Sequence, residues 1–146
     1  MGKKIQIYPS KDSVYQMYKY LSAFEGSISK SAGHYNFNSI KLNQFLIDND
    51  IVLRPVSKSS RVVNLPRNNY IVFLYGDHKA EYDDKAHDLL RHIRNSIGHA
   101  LIEKTSANRA VFDITDKNKN GNLTLRGNMK ENLFFALIQQ LQDTKR

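Results

Sequence analysis

Tyr70-Ile71-Val72-Phe73-Leu74-Tyr75 is an unbroken apolar run, and whether it forms a strand or a helix decides the fold. Its β-branched and aromatic residues suit a buried strand. A buried helix starting after Asn68-Asn69 fits the same residues, because a short continuous apolar run has no period that separates the two. The run is far too short to cross a bilayer, which takes about 20 apolar residues in a helix.

Upstream, Ile51 to Asn69 holds two prolines and the stretch Ser57-Lys58-Ser59-Ser60 without a sustained period, and reads as an irregular connection. Before it, Ser39 or Asn38 opens a short helix with Ile40, Phe45 and Leu46 on its apolar side, ending at Asn49-Asp50. Gly26 to Gly33 is a Ser- and Gly-rich loop. Ahead of that loop, Ser10 or Asp12 caps a helix in which Val14, Met17, Tyr18, Leu21 and Phe24 recur at helical spacing.

Downstream, Ala80, Leu89, Leu90, Ile93 and Ile97 mark the inner face of a helix running from about Lys79. Glu81, Asp83 and Asp84 in its first turns complement the positive end of the helix dipole. Arg109 to Ile114 and Gly121 to Arg126 flank a polar turn, where Asn120-Gly121 signals a hairpin. In the last segment Asn128 is a cap candidate, Glu131 its capping-box partner, and Leu133, Leu137, Ile138 and Leu141 form a stripe. The sum is one domain over residues 1–146, mainly α, with one β-hairpin at about 109–126 before a C-terminal helix.

The 146 residues include 22 Lys and Arg against 14 Asp and Glu, a net charge of +8, which favours polyanionic partners through counterion release. The basic residues are spread along the chain, so the same excess also serves plain solubility. Cysteine is absent, which removes disulfides, thiolate metal sites and cysteine nucleophiles. Met1-Gly2-Lys3-Lys4-Ile5-Gln6 has charge but no apolar run behind it and no myristoylation pattern. The expectation is a soluble, cytoplasmic protein with no membrane partner.

The most specific chemistry lies in Arg94-Asn95-Ser96-Ile97-Gly98-His99. RNA can be cut by its own 2′-hydroxyl if a base takes that proton, an acid protonates the leaving oxygen and a cation steadies the phosphorane. Histidine suits the proton transfers near neutral pH, and the planar fork of arginine suits the phosphate. In a continuous helix Asn95 and His99 share a face, while Arg94 and His99 stand roughly 140° apart. Gly98 suggests that the helix ends there and frees His99 to swing back towards Arg94. Two copies facing each other across a two-fold axis would gather two Arg and two His around one phosphate, which predicts a symmetric dimer.

Leu89-Leu90-Arg91-His92-Ile93-Arg94-Asn95-Ser96-Ile97-Gly98-His99 closely resembles the signature of HEPN-domain proteins, in particular small plasmid- and defence-associated HEPN ribonucleases. The likeness extends from about Tyr70 to the C-terminus and is weak over residues 1 to 69. It implies a HEPN-like helical bundle, a homodimer across the motif helices, and metal-independent RNA cleavage to a 2′,3′-cyclic phosphate. The implied setting is a bacterial toxin or anti-phage defence effector, with room for an antitoxin or other neutralising partner. Carried over residue by residue, Arg94 matches the family's arginine, Asn95 its following polar residue and His99 its histidine. Arg91 and His92 are further RNA-binding candidates, and no cofactor or metal is expected. Such relatives have Ala before the His and Gly after it, whereas this chain has Gly98 and Ala100, which changes where the backbone can turn. Two alternatives remain: a non-catalytic HEPN module that binds RNA or regulates, and a protein-interaction partner whose motif is purely structural.

The other constellations are weaker. Asp116-x-Asn118-x-Asn120-Gly121 copies the first half of a calcium loop, but the twelfth position is Gly127, so the hairpin reading is preferred. His34, His78, His87 and His92 form no metal-ligand spacing; His87 reads as part of a solvated basic face and His92 as a surface residue. Tyr15, Tyr18, Tyr20, Phe24, Phe73 and Tyr75 have the faces to stack on bases, yet at helical spacing they read as core.

Overall fold

The computed structural model describes residues 9–76, 84–99, 101–106 and 109–146. Tyr70–Leu74 is a strand, and with it the chain is an α/β protein, not the mainly α bundle with a single hairpin expected from the sequence. The elements in chain order are α1 (Lys11–Gly26), α2 (Ile40–Asp48), β1 (Val52–Val56), β2 (Tyr70–Leu74), α3 (Lys85–Gly98), β3 (Ile102–Ser106), β4 (Arg109–Lys117), β5 (Leu123–Lys130) and α4 (Glu131–Gln142), with short 3₁₀ turns at Ile28–Lys30 and Ser59–Arg61. Among the described residues the five strands form one mixed sheet in the order β1-β2-β5-β4-β3. β1 and β2 are parallel, and the other pairs are antiparallel.

Every residue of β2 is buried. Ile71 and Phe73 enter the main core with Leu89, Leu90 and Ile93 of α3, Phe112 and Ile114 of β4, Leu125 and Met129 of β5, and Phe134, Leu137 and Leu141 of α4. Tyr70 and Val72 are buried too but lie outside that cluster, as strand alternation requires. The connection between β1 and β2 serves their face: Val62 is buried, and Asn64 Oδ1 accepts from the Tyr70 hydroxyl at 3.4 Å and from the Arg126 guanidinium. A strand covered on both faces loses its polar alternation and reads as a continuous apolar run. The segment 51–69, expected to be wholly irregular, supplies β1 as the edge strand.

The ends of the elements follow local chemistry. Ser10 caps α1 by accepting from the Ser13 N–H, and Ser39 caps α2 by accepting from Leu42. Asp84 caps α3: one oxygen accepts from His87 N at 2.9 Å, and the other takes Gly33 N at 2.7 Å and Tyr35 N at 3.1 Å, pinning the preceding loop to the helix start. Ala80, Glu81 and Asp83, assigned from sequence to this helix, lie outside the described residues, as do Met1–Gln6, His78 and Ala100. α4 begins at Glu131 without a side-chain cap; Asn128 sits in β5 and donates to Asp113 instead. The expected hairpin is present as β4–β5. Asn118 Oδ1 accepts from the N–H groups of Asn120 and Asn122, and Gly121 takes φ +83°, so the calcium-like spacing builds a turn.

Gly127 lies opposite Ile71 and Ile114 on the strands that flank β5. A Cβ there would fall 2.7 Å from the Tyr70 carbonyl oxygen and 2.9 Å from Ile71 Cγ1, so only glycine lets the sheet and its core close at that point. Gly127→Ala is expected to lower stability by about 1–3 kcal/mol, the usual cost of overpacking. Urea unfolding checks this, and a midpoint equal to wild type would refute the close approach.

Candidate functional site

The motif occupies the last turn of α3. His99 is the residue just past the helix; its N–H closes onto the Asn95 carbonyl at 2.9 Å. The helix therefore ends at Gly98, as its residue type suggested. The end is clamped to the sheet. Ser96 Oγ donates to the Thr115 carbonyl at 2.8 Å, Leu101 N donates to the Ser96 carbonyl at 2.8 Å, and Thr115 N donates to the Leu101 carbonyl at 3.2 Å.

Arg94 does not project freely. Its Nη1 donates to Asn95 Oδ1 at 3.3 Å and lies 3.7 Å from where a Cβ on Gly98 would be. Its Nη2 pairs with Glu25 of α1 at 3.0 Å, with the Arg94 side chain 34% and the Glu25 side chain 67% exposed. An ion pair this open to water is worth about 0–1 kcal/mol. The guanidinium thus folds along the helix towards Gly98, with Arg94 and Asn95 in its last turn and His99 just past its end.

His99 turns its other side inward. Its side chain is 60% exposed, yet Nδ1 stands 4.0 Å from Oδ1 of Asp116, which is 2% exposed. The opposite carboxylate oxygen is held twice: Thr124 Oγ1 donates to Oδ2 at 2.8 Å, and His92 Nδ1 meets it at 3.2 Å. Oδ1 is buried and has no hydrogen-bond partner among the described residues. Asp116 entered the sequence reading only as a turn residue. Phe112, Ile114 and Asp116 alternate along β4, however, so the hairpin already put this carboxylate on the apolar face.

His92 is fully buried, not a surface residue, and cannot serve as the RNA contact suggested from sequence. Its Nε2 faces the Leu74 carbonyl at 2.8 Å, and a carbonyl only accepts. Nδ1 faces a carboxylate, so between them His92 and Asp116 must hold protons in both bonds. Burial alone would push the Asp116 carboxyl up. Hydrogen bonds from His92 and Thr124, the charge of His92 and the Lys117 N–H outweigh it and hold the group below the usual carboxylate value. Asp116 is thereby kept as a carboxylate in the interior.

The remaining candidates fall elsewhere. Arg91 reaches towards Asp88, with Nη2 3.9 Å from its carboxylate, and is partly buried, one turn before Arg94. His87 is buried between the Phe24 and Tyr35 rings and bonds the Ile28 carbonyl at 3.0 Å, so it belongs to the core and not to a basic surface. Tyr20 and Phe24 are core as expected, whereas Tyr15 and Tyr18 are 62% and 67% exposed on α1. Tyr20 donates to the Leu90 carbonyl; burial first, then Tyr35, push its phenol well above its ordinary value against the pull of Arg94, so it stays a neutral donor.

Comparison with known proteins gives one family. The family model described as HEPN pEK499 p136 matches residues 12–145. No curated protein and no solved structure matches the chain. Among the described residues no helix is long and apolar enough to cross a membrane.

Asp116 also makes stability depend on acid. Its folded value lies below the unfolded one, near 3.9, so its contribution is fully present above that value and is lost as the pH falls through the folded value. The stability gap between wild type and Asp116→Asn is expected to hold from pH 5 to 7, taken as about one to three units above the unfolded value, and to shrink below about pH 4. Urea midpoints across that range test it; a gap that widened in acid would reverse the assignment.

Proposed function

The chain belongs to the HEPN pEK499 p136 family, and from that premise we propose that it is a metal-independent endoribonuclease. Family membership by itself suggests the coarser role of a nuclease or RNA-binding domain. In the finer reading the RNA 2′-hydroxyl attacks its own phosphorus. The O2′–P bond forms, the P–O5′ bond breaks, and a 2′,3′-cyclic phosphate and a 5′-hydroxyl result. His99 takes the 2′-proton or supplies one to O5′, Arg94 holds the non-bridging oxygens, and Asn95 orients them.

The observation that supports this reading lies at the end of α3: the Arg94 guanidinium lies against Gly98, and His99, 60% exposed, is the next residue in the chain. The net charge of +8 suits a polyanionic substrate. One Arg and one His are few for two proton transfers, so a homodimer that joins the ends of two α3 helices belongs to the proposal. A toxin or anti-phage effector, with a neutralising partner, is the setting this activity would fit.

The Glu25–Arg94 pair favours a second reading, a regulatory RNA-binding domain in which the guanidinium is kept from the phosphate. One experiment separates the two. Wild type, His99→Ala and Arg94→Ala are incubated with total RNA in excess EDTA, and the ends are analysed for cyclic phosphate. Wild type is expected to cut, and His99→Ala to lose about 10²–10⁴-fold in rate, the usual contribution of a general acid or base. Salt-sensitive RNA binding without cleavage by wild type would favour the regulatory domain.

A further inference from the structure

We propose that Asp116 is the positioning residue for His99, fixing which ring nitrogen faces the RNA; this rests on the nuclease reading above. A carboxylate that is 2% exposed keeps one oxygen, Oδ1, without a hydrogen bond among the described residues, which is costly unless a partner reaches it. The His99 ring stands beside that oxygen, with Nδ1 4.0 Å away. A side-chain rotation of about 1 Å closes that gap to the 2.7–2.9 Å of a charge-assisted hydrogen bond.

The rest of the surroundings hold the carboxylate still. His92 reaches it from α3 and Thr124 from β5, while Arg94, paired with Glu25, carries a charge near this end of the helix. Oδ2 is consumed by His92 and Thr124, so Oδ1 is the oxygen left to point outward at His99. With Nδ1–H given to Oδ1, His99 offers Nε2 to solvent as the acceptor for the 2′-proton, and the carboxylate stabilises the imidazolium that this transfer creates. The exposed ring, with rotamers otherwise open to it, is thereby restricted to one tautomer and one direction.

A merely structural Asp116 would support the fold and leave the His99 tautomer alone. Long-range ¹⁵N–¹H correlation of the wild-type imidazoles at neutral to alkaline pH distinguishes the cases without any variant. His99 is expected in the Nδ1–H form; the Nε2–H form would overturn the proposal. For kinetics, Asp116→Asn should lower kcat about 10- to 100-fold with KM little changed, and should add no further loss in a His99→Ala background. An additional loss there would mean that Asp116 does not act through His99, and would overturn it. The fold-safe variant is His92→Leu with Asp116→Leu, since replacing both members of a buried ion pair by apolar groups is often tolerated. In it His99 should revert to the Nε2–H form favoured by free imidazole, and retention of Nδ1–H would again overturn the proposal. Should wild type show Nδ1–H, and the double variant lose it, without either cutting RNA, the pairing stands and the nuclease reading falls.

Discussion

The imidazole of His92 ties α3 to the sheet, and the position of everything at the end of that helix depends on it. One ring bonds the Leu74 carbonyl in β2 and the Asp116 carboxylate in β4, and that carboxylate takes Thr124 from β5, the strand lying between them. A single side chain thereby refers the helix to three strands. Apolar packing by Leu89, Leu90 and Ile93 supplies the larger attraction, about 1.5–3 kcal/mol for each fully buried side chain. That attraction is non-directional, however, and tolerates small rotations of the helix. Desolvating an ion pair offsets most of its Coulomb gain, so this pair contributes direction more than stability. Ser96, bonded to the Thr115 carbonyl one residue from Asp116, fixes the last turn in the same register.

The sequence made part of this legible for physical reasons. Helices with one wet face announced themselves: α1 and α2 lie where the periodicity put them, with Ser10 and Ser39 as caps, while α3 starts at Lys85 rather than near Lys79 and α4 at Glu131 without the Asn128 cap. The sheet was largely hidden. β2 is covered on both faces and so has no alternation, β1 is broken by Pro55 in its middle, and β3 is a short edge strand. Only the β4–β5 hairpin has a turn signal strong enough to stand alone. A bundle with one hairpin is what remains when the strands without a wet face are missed.

The site divides in the same way. Arg94, Asn95 and His99 are close in sequence and therefore visible as a motif; Arg94 and Asn95 lie in the last turn of α3 and His99 just past it. Asp116 is distant in sequence and sits in a run of Asp and Asn that reads as turn chemistry. His92 was read as exposed because histidine usually is, and helical spacing alone does not reveal a carboxylate on another element. The period-two row Phe112, Ile114, Asp116 was the available signal: a charge on the apolar side of a hairpin requires a buried partner.

Two ion pairs meet near the motif, and their difference in burial gives them different consequences. His92–Asp116 lies in the interior, where breaking it would leave an uncompensated charge, a loss of about 3–5 kcal/mol. Glu25–Arg94 is open to water, where exchange for another anion costs little. A phosphodiester offers Arg94 two oxygens in the plane of its fork, geometry that a single contact to Glu25 Oε1 does not match. The guanidinium is thus held along the helix, near where the proposed reaction would use it, by a partner weak enough to be displaced. His99 stands between the two regimes, with its face to solvent and its Nδ1 towards the buried carboxylate. Mobile phosphate chemistry on one side and a fixed electrostatic reference on the other is what the proposed reaction requires of this ring, and the depth of Asp116 beneath the surface is what keeps that reference from being screened by salt.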